Sequence, residues 1–411
     1  MTVVNRDGKV SELQNALNAF DLDQIASVFV LPKVASTSTA SGRSTSSSSG
    51  KSVSLQDHGL DWSSTLTQYC NASDAALAGD ASKMFESQCA LHSSFHSVFS
   101  SSQGNWLVPT LHMICKMTHK AAIAADRYTS TSASSKDSNA HLQKAVTLLQ
   151  ESYSKTSNDR REFKADAPLD DQEGSKKAGV LKIVNELFAI YFRLNTLRLC
   201  KNLLRPVESR KLHQMGKMAD MVTYRYYVGR LNLFEDQYQA AEQSLEYALK
   251  HCHKNAFENK RRILRYLVPV KLFRGRLPSL QLLEKYGLLE FLPIVEGVRT
   301  GDLRLFQGGL VKSQDIFIHR GTYLLLEKCK TVCYRNLFKR IHVITERHQI
   351  PLNTVAKSLK WLGMPIDLDE VECILANLIF RGYIRGYLSH AKRVLVLSKR
   401  DPFPVSAVIM K

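Results

Sequence analysis

At 411 residues, with 44% apolar and 23% charged side chains, the chain can bury two or three cooperative cores and is not globally disordered. It shows neither the apolar leader of a secreted protein at Met1-Thr2-Val3-Val4-Asn5-Arg6-Asp7 nor the ~18 apolar residues of a membrane helix, and its eight scattered cysteines predict reduced, buried thiols. The net charge of +18 is one-sided: residues 1–165 carry 15 basic and 14 acidic side chains, residues 166–411 carry 41 and 24, so the C-terminal part should attract a polyanion such as nucleic acid, an anionic membrane face or an acidic protein.

Residues 11–30 read as one helix, with Leu13, Ala16, Leu17, Phe20, Ile25 and Val28 at mostly three- and four-residue steps and Pro32 beyond its end. Residues 35–54 hold 13 Ser or Thr in 20 positions and cannot bury apolar surface against their ordering entropy, so residues 35–55 are expected to be a disordered insert. Residues 56–175 form an N-terminal helical region. Trp62, Leu66, Tyr69 and Cys70 share one face, Met84, Phe85, Cys89 and Leu91 continue on the next segment, and helices are expected over 107–128 and 141–153 around a Ser-rich turn at 129–138. Residues 158–175 are polar, with Pro168 and an acidic cluster, and read as a linker.

Helices resume at 178–201. Over 176–320 the pattern is that of a tetratricopeptide-like (TPR-like) helical stack. Gly229, Ala241 and Ala248 allow two helices to approach closely, Tyr238 and Leu245 fill the space between them, and a partner helix over 260–272 contains Pro269. A weaker pair follows at 279–286 and 288–300, then a helix at 302–310. Residues 321–411 differ. A long helix over 323–347 precedes a shorter one from Pro351 to Leu362, and a third helix buries Val371, Ile374, Leu375, Leu378 and Ile379. Asp367, three residues before Glu370, reads as the N-cap of that third helix, and Gly382 as its left-handed stop. Two strands, 383–388 and 394–398, joined at 389–393, complete the order of a winged helix with a small β-hairpin. The fold class is therefore an all-α TPR-like helical-repeat stack followed by a C-terminal winged helix.

Catalytic signatures are missing. The chain has no phosphate-binding G-x-x-x-x-G-K-[ST], no dinucleotide G-x-G-x-x-G, no H-E-x-x-H and no G-x-S-x-G turn. His251 and His253 sit two apart, about 200° around a helix, and cannot face one ion without help. The isopeptidase pattern H-x-H-x(7)-S-x(2)-D fails too, since Arg261 and Leu264 stand at its serine and aspartate places. Cys329 and Cys333 lie one helical turn apart with no second ligand pair at zinc spacing, so they read as buried helix cysteines. No cofactor and no enzymatic activity is expected.

The region from about residue 180 to 404 resembles the PCI-domain proteins. The likeness rests on Tyr226-Tyr227-Val228-Gly229-Arg230, Ala248-Leu249-Lys250-His251-Cys252-His253-Lys254 and Asn259-Lys260-Arg261-Arg262-Ile263-Leu264. It continues through Tyr334-Arg335-Asn336-Leu337-Phe338-Lys339, Glu372-Cys373-Ile374-Leu375-Ala376-Asn377-Leu378-Ile379 and Leu397-Ser398-Lys399-Arg400-Asp401-Pro402-Phe403-Pro404. Within that superfamily the chain is similar to the branch of PCI-domain-containing protein 2 and signalosome subunit twelve. The resemblance implies a PCI domain, meaning a helical stack fused to a winged helix, that works as a non-catalytic scaffold. It also implies pairing with a second PCI scaffold subunit and a small acidic Sem-type peptide, in a nuclear, pore-associated messenger-RNA export complex with some cytoplasmic protein. A signalosome-associated role in cullin deneddylation is the alternative it leaves open.

The third helix begins with Asp367, Asp369, Glu370 and Glu372, which would face phosphates if it entered a major groove, so sequence-specific reading is not expected. Non-specific RNA or DNA contacts fall instead to Arg335, Lys339, Arg340, Arg381, Arg385, Lys392, Arg393, Lys399 and Arg400. A second basic cluster, Lys254, Lys260, Arg261, Arg262 and Arg265, suits the acidic peptide. Tyr387, Leu388, Val394 and Val396 are the expected edge for the partner PCI subunit.

Overall fold

A computed structural model of the chain describes residues 11–12, 56–57, 60–132, 139–161 and 174–404. The helix expected at 11–30 lies, beyond its first two residues, outside the described residues. So do the Ser/Thr-rich stretch and most of the 158–175 segment. The described chain divides into two compact units whose boundary falls between Tyr227 and Val228.

The first unit opens with a two-residue ribbon, β1 (Gln56–Asp57) and β2 (Leu60–Asp61). Its helices are α1 (Ser63–Leu77), α2 (Ala81–Ser101), α3 (Val108–Ser132), α4 (Ala140–Ser157), α5 (Val180–Arg193) and α6 (Leu197–Ser209). The first residues of α7 (Met218–Phe234) also belong to it. Consecutive helices pack on one another from α1 through α6. Trp62, Phe85, Phe95, Phe99 and Phe188 are wholly enclosed among them. Asp80 caps α2 by accepting from the Lys83 amide at 3.0 Å. The single helix expected over 178–201 is two: Asn195 takes φ 56°, and the Thr196 amide reaches back to the Tyr191 carbonyl at 2.9 Å, which closes α5 before α6 begins. Helix α3 likewise runs four residues past Tyr128, to Ser132.

A polar knot sits inside this apolar bundle. His92 bonds the Thr118 hydroxyl through Nδ1 and the Ser152 hydroxyl through Nε2, both at 2.9 Å, and His96 Nε2 meets the same Ser152 oxygen at 2.8 Å. Cys115 lies 3.6 Å from Ser152 Oγ. Burial holds the His92 imidazole neutral well below its usual range, with His96 adding to the effect.

The second unit takes the rest of α7, then α8 (Tyr238–His251), α9 (Phe257–Phe273), α10 (Leu280–Lys285), α11 (Leu292–Thr300), α12 (Leu303–Lys312), α13 (Gln314–Arg320) and α14 (Tyr323–Lys328). Gly229 permits close approach, since a Cβ there would come 2.6 Å from Leu245 Cγ. The Glu242 carboxylate, almost wholly buried, binds Arg274 at 2.6 Å and Arg276 at 3.1 Å and so ties α8 to the end of α9. Pro269 is buried within α9, beside core residues Leu264, Leu267 and Val268.

The winged helix follows: α15 (Lys330–Thr345), β3 (Gln349–Pro351), α16 (Leu352–Trp361), α17 (Leu368–Phe380), β4 (Gly386–Ser389) and β5 (Val394–Leu397). The long helix expected at 323–347 breaks at Cys329, whose amide is shared between the Leu325 and Leu326 carbonyls at 3.2 and 3.0 Å while its thiol donates to Leu325. The expected hairpin forms, β4 pairing with β5, and gains a third strand. The sheet has three strands in the order β3–β5–β4, all antiparallel, with Ile350 opposite Leu395. Strand β3 is three residues long and ends in proline, too short to show alternation.

Candidate nucleic-acid interface

Helix α15 seats the winged helix on the stack. Cys333, Asn336 and Arg340 share one of its faces and donate to the carbonyls of Gly297 (3.2 Å), Val298 (2.7 Å) and Thr300 (3.0 Å). These carbonyls belong to the last turn of α11, where no intrahelical partner exists. Burial pushes the Cys333 thiol up to about 12, so it stays a protonated donor. Arg340 is therefore a joint residue, with one guanidinium N–H on a backbone carbonyl and the side chain otherwise exposed.

Three more of the nine expected cations are committed inside the fold. Arg335 donates to the Phe403 and Pro404 carbonyls at 2.8 and 2.9 Å and to Asn336 Oδ1 at 2.7 Å, which pins the C-terminal tail against α15. Half-buried there, its guanidinium is held below the usual arginine range by desolvation. Arg393 folds the wing onto α17, meeting Asp369 at 2.6 Å and Glu372 at 3.1 Å, while His390 meets Glu372 at 2.7 Å. The hydrogen bond from Arg393 holds the Asp369 carboxyl below its ordinary range. Arg385 pairs with Asp401 at 3.2 Å, both half exposed. Each of these four guanidinium groups thus gives at least one of its five N–H donors to an oxygen of the protein.

Five remain. Lys339, Arg381, Lys392, Lys399 and Arg400 are exposed, and their side chains make no hydrogen bond or ion pair with the described residues. Arg381 lines a shallow depression together with Arg385, Phe380 and Pro404. The Arg385 amide donates to Pro402 at 2.8 Å and its carbonyl accepts from Ser398 at 2.9 Å, which holds the turn bearing Lys399 and Arg400 against the backbone of Arg385, one of the lining residues. Lys339 stands one helical turn beyond Arg335 on the face that holds the tail. Lys392 is apart, on the wing turn that packs at the start of α17, about 20 Å along the helix from Arg381. The start of α17 is acidic, as its sequence implied: Asp367 caps it, accepting from the Glu370 amide at 2.7 Å, and Asp369 and Glu372 face the wing.

The second basic cluster gathers around the first turns of α9. The side chains of Lys254 and Arg262 are exposed and unbonded, and Lys260 donates to the Lys254 carbonyl at 3.2 Å. Arg261 ties α9 to the turn at Gly287, whose carbonyl it reaches at 3.2 Å, with Glu258 at 3.7 Å, so it is structural. Desolvation, then the charges of Arg320 and Arg261, hold Arg265 below the usual arginine range; Glu290, near it, is bound to Arg320 at 2.7 Å.

Strand register sorts the expected partner edge. Tyr387 pairs with Val396 and Ser389 with Val394, placing Tyr387, Val394 and Val396 on the sheet face away from the helices. Tyr387 is 63% exposed there. Leu388, opposite buried Leu395, is half-buried and turned to the inner face of the edge strand β4, whereas Val394 and Val396 belong to the central strand β5.

His251 bonds the Tyr247 carbonyl at 2.9 Å and stacks on that ring, and Cys252 is buried. Among the described residues no cluster of three His, Cys, Asp or Glu side chains is placed to hold a metal ion. Seven of the eight cysteines are buried thiols outside any disulfide, and Cys373 is exposed on α17. No helix among the described residues is long and apolar enough to cross a membrane. Sequence reasoning missed two residues of this region. Asn336 is indistinguishable in sequence from a surface amide, and the run Ile379-Phe380-Arg381 hides which apolar side chain faces out.

The PCI domain model matches residues 288–399, the span from the last helices of the stack through β5. The chain is 39% identical over 327 residues to PCI domain-containing protein 2 of Danio rerio, covering 79% of this chain and 80% of that protein. It is 44% identical over 233 residues to the PCI domain-containing protein 2 homolog of Dictyostelium discoideum, covering 56% and 54%. It is 31% identical over 352 residues to the protein CSN12 homolog of Mycosarcoma maydis, covering 78% and 75%.

Proposed function

This chain belongs to the PCI domain-containing protein 2 family, whose members carry the domain of multi-subunit scaffolds, and from that premise we propose that it is a non-catalytic subunit of a nuclear, transcription-coupled messenger-RNA export complex. It binds RNA or DNA without reading sequence, pairs with a second PCI subunit across the outer sheet face of Tyr387, Val394 and Val396, and holds a small acidic peptide near Lys254, Lys260 and Arg262. One observation carries the nucleic-acid reading. The winged helix spends its carboxylates on the start of α17 and on the wing, and leaves five cations with no partner in the described chain. A surface of that kind contacts phosphates and gives up little to do so.

The test is the salt dependence of binding to a single-stranded oligonucleotide. If all five cations engage, the log–log slope is about −3.5, and a binding constant indifferent to salt rejects the reading. For the acidic peptide, Arg262→Glu should lower its co-purification with no change in melting, because this arginine makes no bond within the fold. Undiminished recovery places the peptide elsewhere. Arg261→Glu is the wrong probe, since it also breaks the tie to Gly287.

Similarity to the CSN12 homolog supports a second reading, a signalosome-associated subunit that assists cullin deneddylation. Affinity purification of the full chain separates the two. Recovery of pore proteins and a second PCI scaffold supports export, and recovery of signalosome subunits with cullins supports the alternative.

A further inference from the structure

We propose that the depression at the C-terminal end of α17 is a base-stacking subsite for single-stranded nucleic acid, with Phe380 as the platform and Arg381, Lys399 and Arg400 as its phosphate contacts; this rests on the polyanion reading above and deepens it. Phe380 is 89% exposed, in a position where a folded chain gains nothing from a phenyl ring. The backbone that carries the ring is fixed in place. Helix α17 ends with the Arg381 amide on the Asn377 carbonyl (3.0 Å), the Gly382 amide on Ile379 (2.9 Å) and the Tyr383 amide on Leu378 (2.8 Å), with Gly382 at φ 75°. Beside it the surface is open, since a Cβ at Gly382 would meet no atom within 4 Å.

The charge around the ring selects the occupant. No carboxylate lines the depression, and Asp401, in the adjoining turn, is bound to Arg385. An apolar protein partner seated on Phe380 would strip water from Arg381, Lys399 and Arg400 without supplying counter-charges. A single strand offers a flat π-face to the ring and a phosphate at each nucleotide to the cations, the pairing that sequence-tolerant single-strand binders use. A duplex keeps its bases stacked inside and cannot use the ring.

The experiment titrates the full chain with a fluorescent oligouridine and with an RNA duplex of equal length. Phe380→Ala should weaken single-strand binding about tenfold, leaving duplex binding and the salt slope unchanged, because no charge is removed. Phe380→Trp should restore affinity, and its emission, taken as the difference from the wild-type protein, should be quenched on adding oligouridine. Equal affinity of Phe380→Ala and wild type for the single strand overturns the subsite, as does an equal loss on strand and duplex. Unchanged RNA binding with lost recovery of a protein partner also overturns it and assigns the ring to a protein contact. If the wild-type protein binds neither RNA, or binds with no salt dependence, the polyanion reading falls and the subsite with it. A salt-dependent wild type with an indifferent Phe380→Ala removes the subsite alone.

Discussion

Gly301→Ala should cost about 2–5 kcal/mol, a large share of the total stability of an ordinary domain. Gly301 ends α11 at φ 74°, a conformation that costs an L-residue about 1–2 kcal/mol. The added Cβ would also sit 2.5 Å from the Leu337 amide nitrogen and 2.6 Å from its Cα. That obstacle is backbone, not the far end of a side chain, so relief requires α15 to move off α11 at a further cost of about 1–3 kcal/mol. Two other glycines separate the contributions. Gly382 has φ 75° with nothing within 4 Å of a Cβ, so Gly382→Ala should lose only the conformational part, about 1–2 kcal/mol. Gly308, in the interior of α12 and equally open, should gain about 0.5–1 kcal/mol as alanine. Urea midpoints at constant m-value give the order directly. A Gly301→Ala protein as stable as Gly382→Ala would mean that the α11–α15 contact is slack.

The second large effect is on acid. In the first unit, burial depresses the imidazoles of His92 and His96, and burial with the charges of Lys182 and Lys217 takes His112 to about 3. These rings are neutral in the fold and take up protons on unfolding below their ordinary range near 6.5, so stability is complete above that pH and falls beneath it. His112 alone loses about 2 kcal/mol by pH 5, and His92, shut in with Thr118, Ser152, Cys115 and His96, adds in the same direction. Melting followed from pH 8 to pH 4 should drop steeply below 6.5. His112→Gln keeps a donor for the Gly179 carbonyl, which the ring bonds at 2.8 Å, and should flatten part of that slope. A profile level to pH 4.5, or one unaffected by His112→Gln, contradicts the account.

Periodicity carried most of the architecture. Asp367 with Glu370 marked a helix start, and Met84, Phe85, Cys89 and Leu91 marked a buried face. What stayed hidden depends on which oxygen lies nearest to a side chain. Arg335 and Lys339 are one turn apart on α15 and look alike in sequence, yet one is spent on the Phe403 and Pro404 carbonyls and the other is open to solvent. Arg340 reads as a surface cation until α11 arrives with an unpaired carbonyl at its end. The strand that defines the sheet's centre was legible as the apolar run Val394-Leu395-Val396-Leu397, but β3 was not: three residues cannot show a period. Leu388 shows the sensitivity of a face to register, because one position along β4 separates the inner side from the outer.

Three donors on one stripe of α15 grip the last carbonyls of α11, and the consequence is mechanical. A pull applied at the terminal sheet travels straight into the helices behind it, with no intervening swivel to absorb it. A polymer held at the tail and a subunit held at the sheet would therefore keep a constant angle to each other, which makes this end of the chain a bracket rather than a tether.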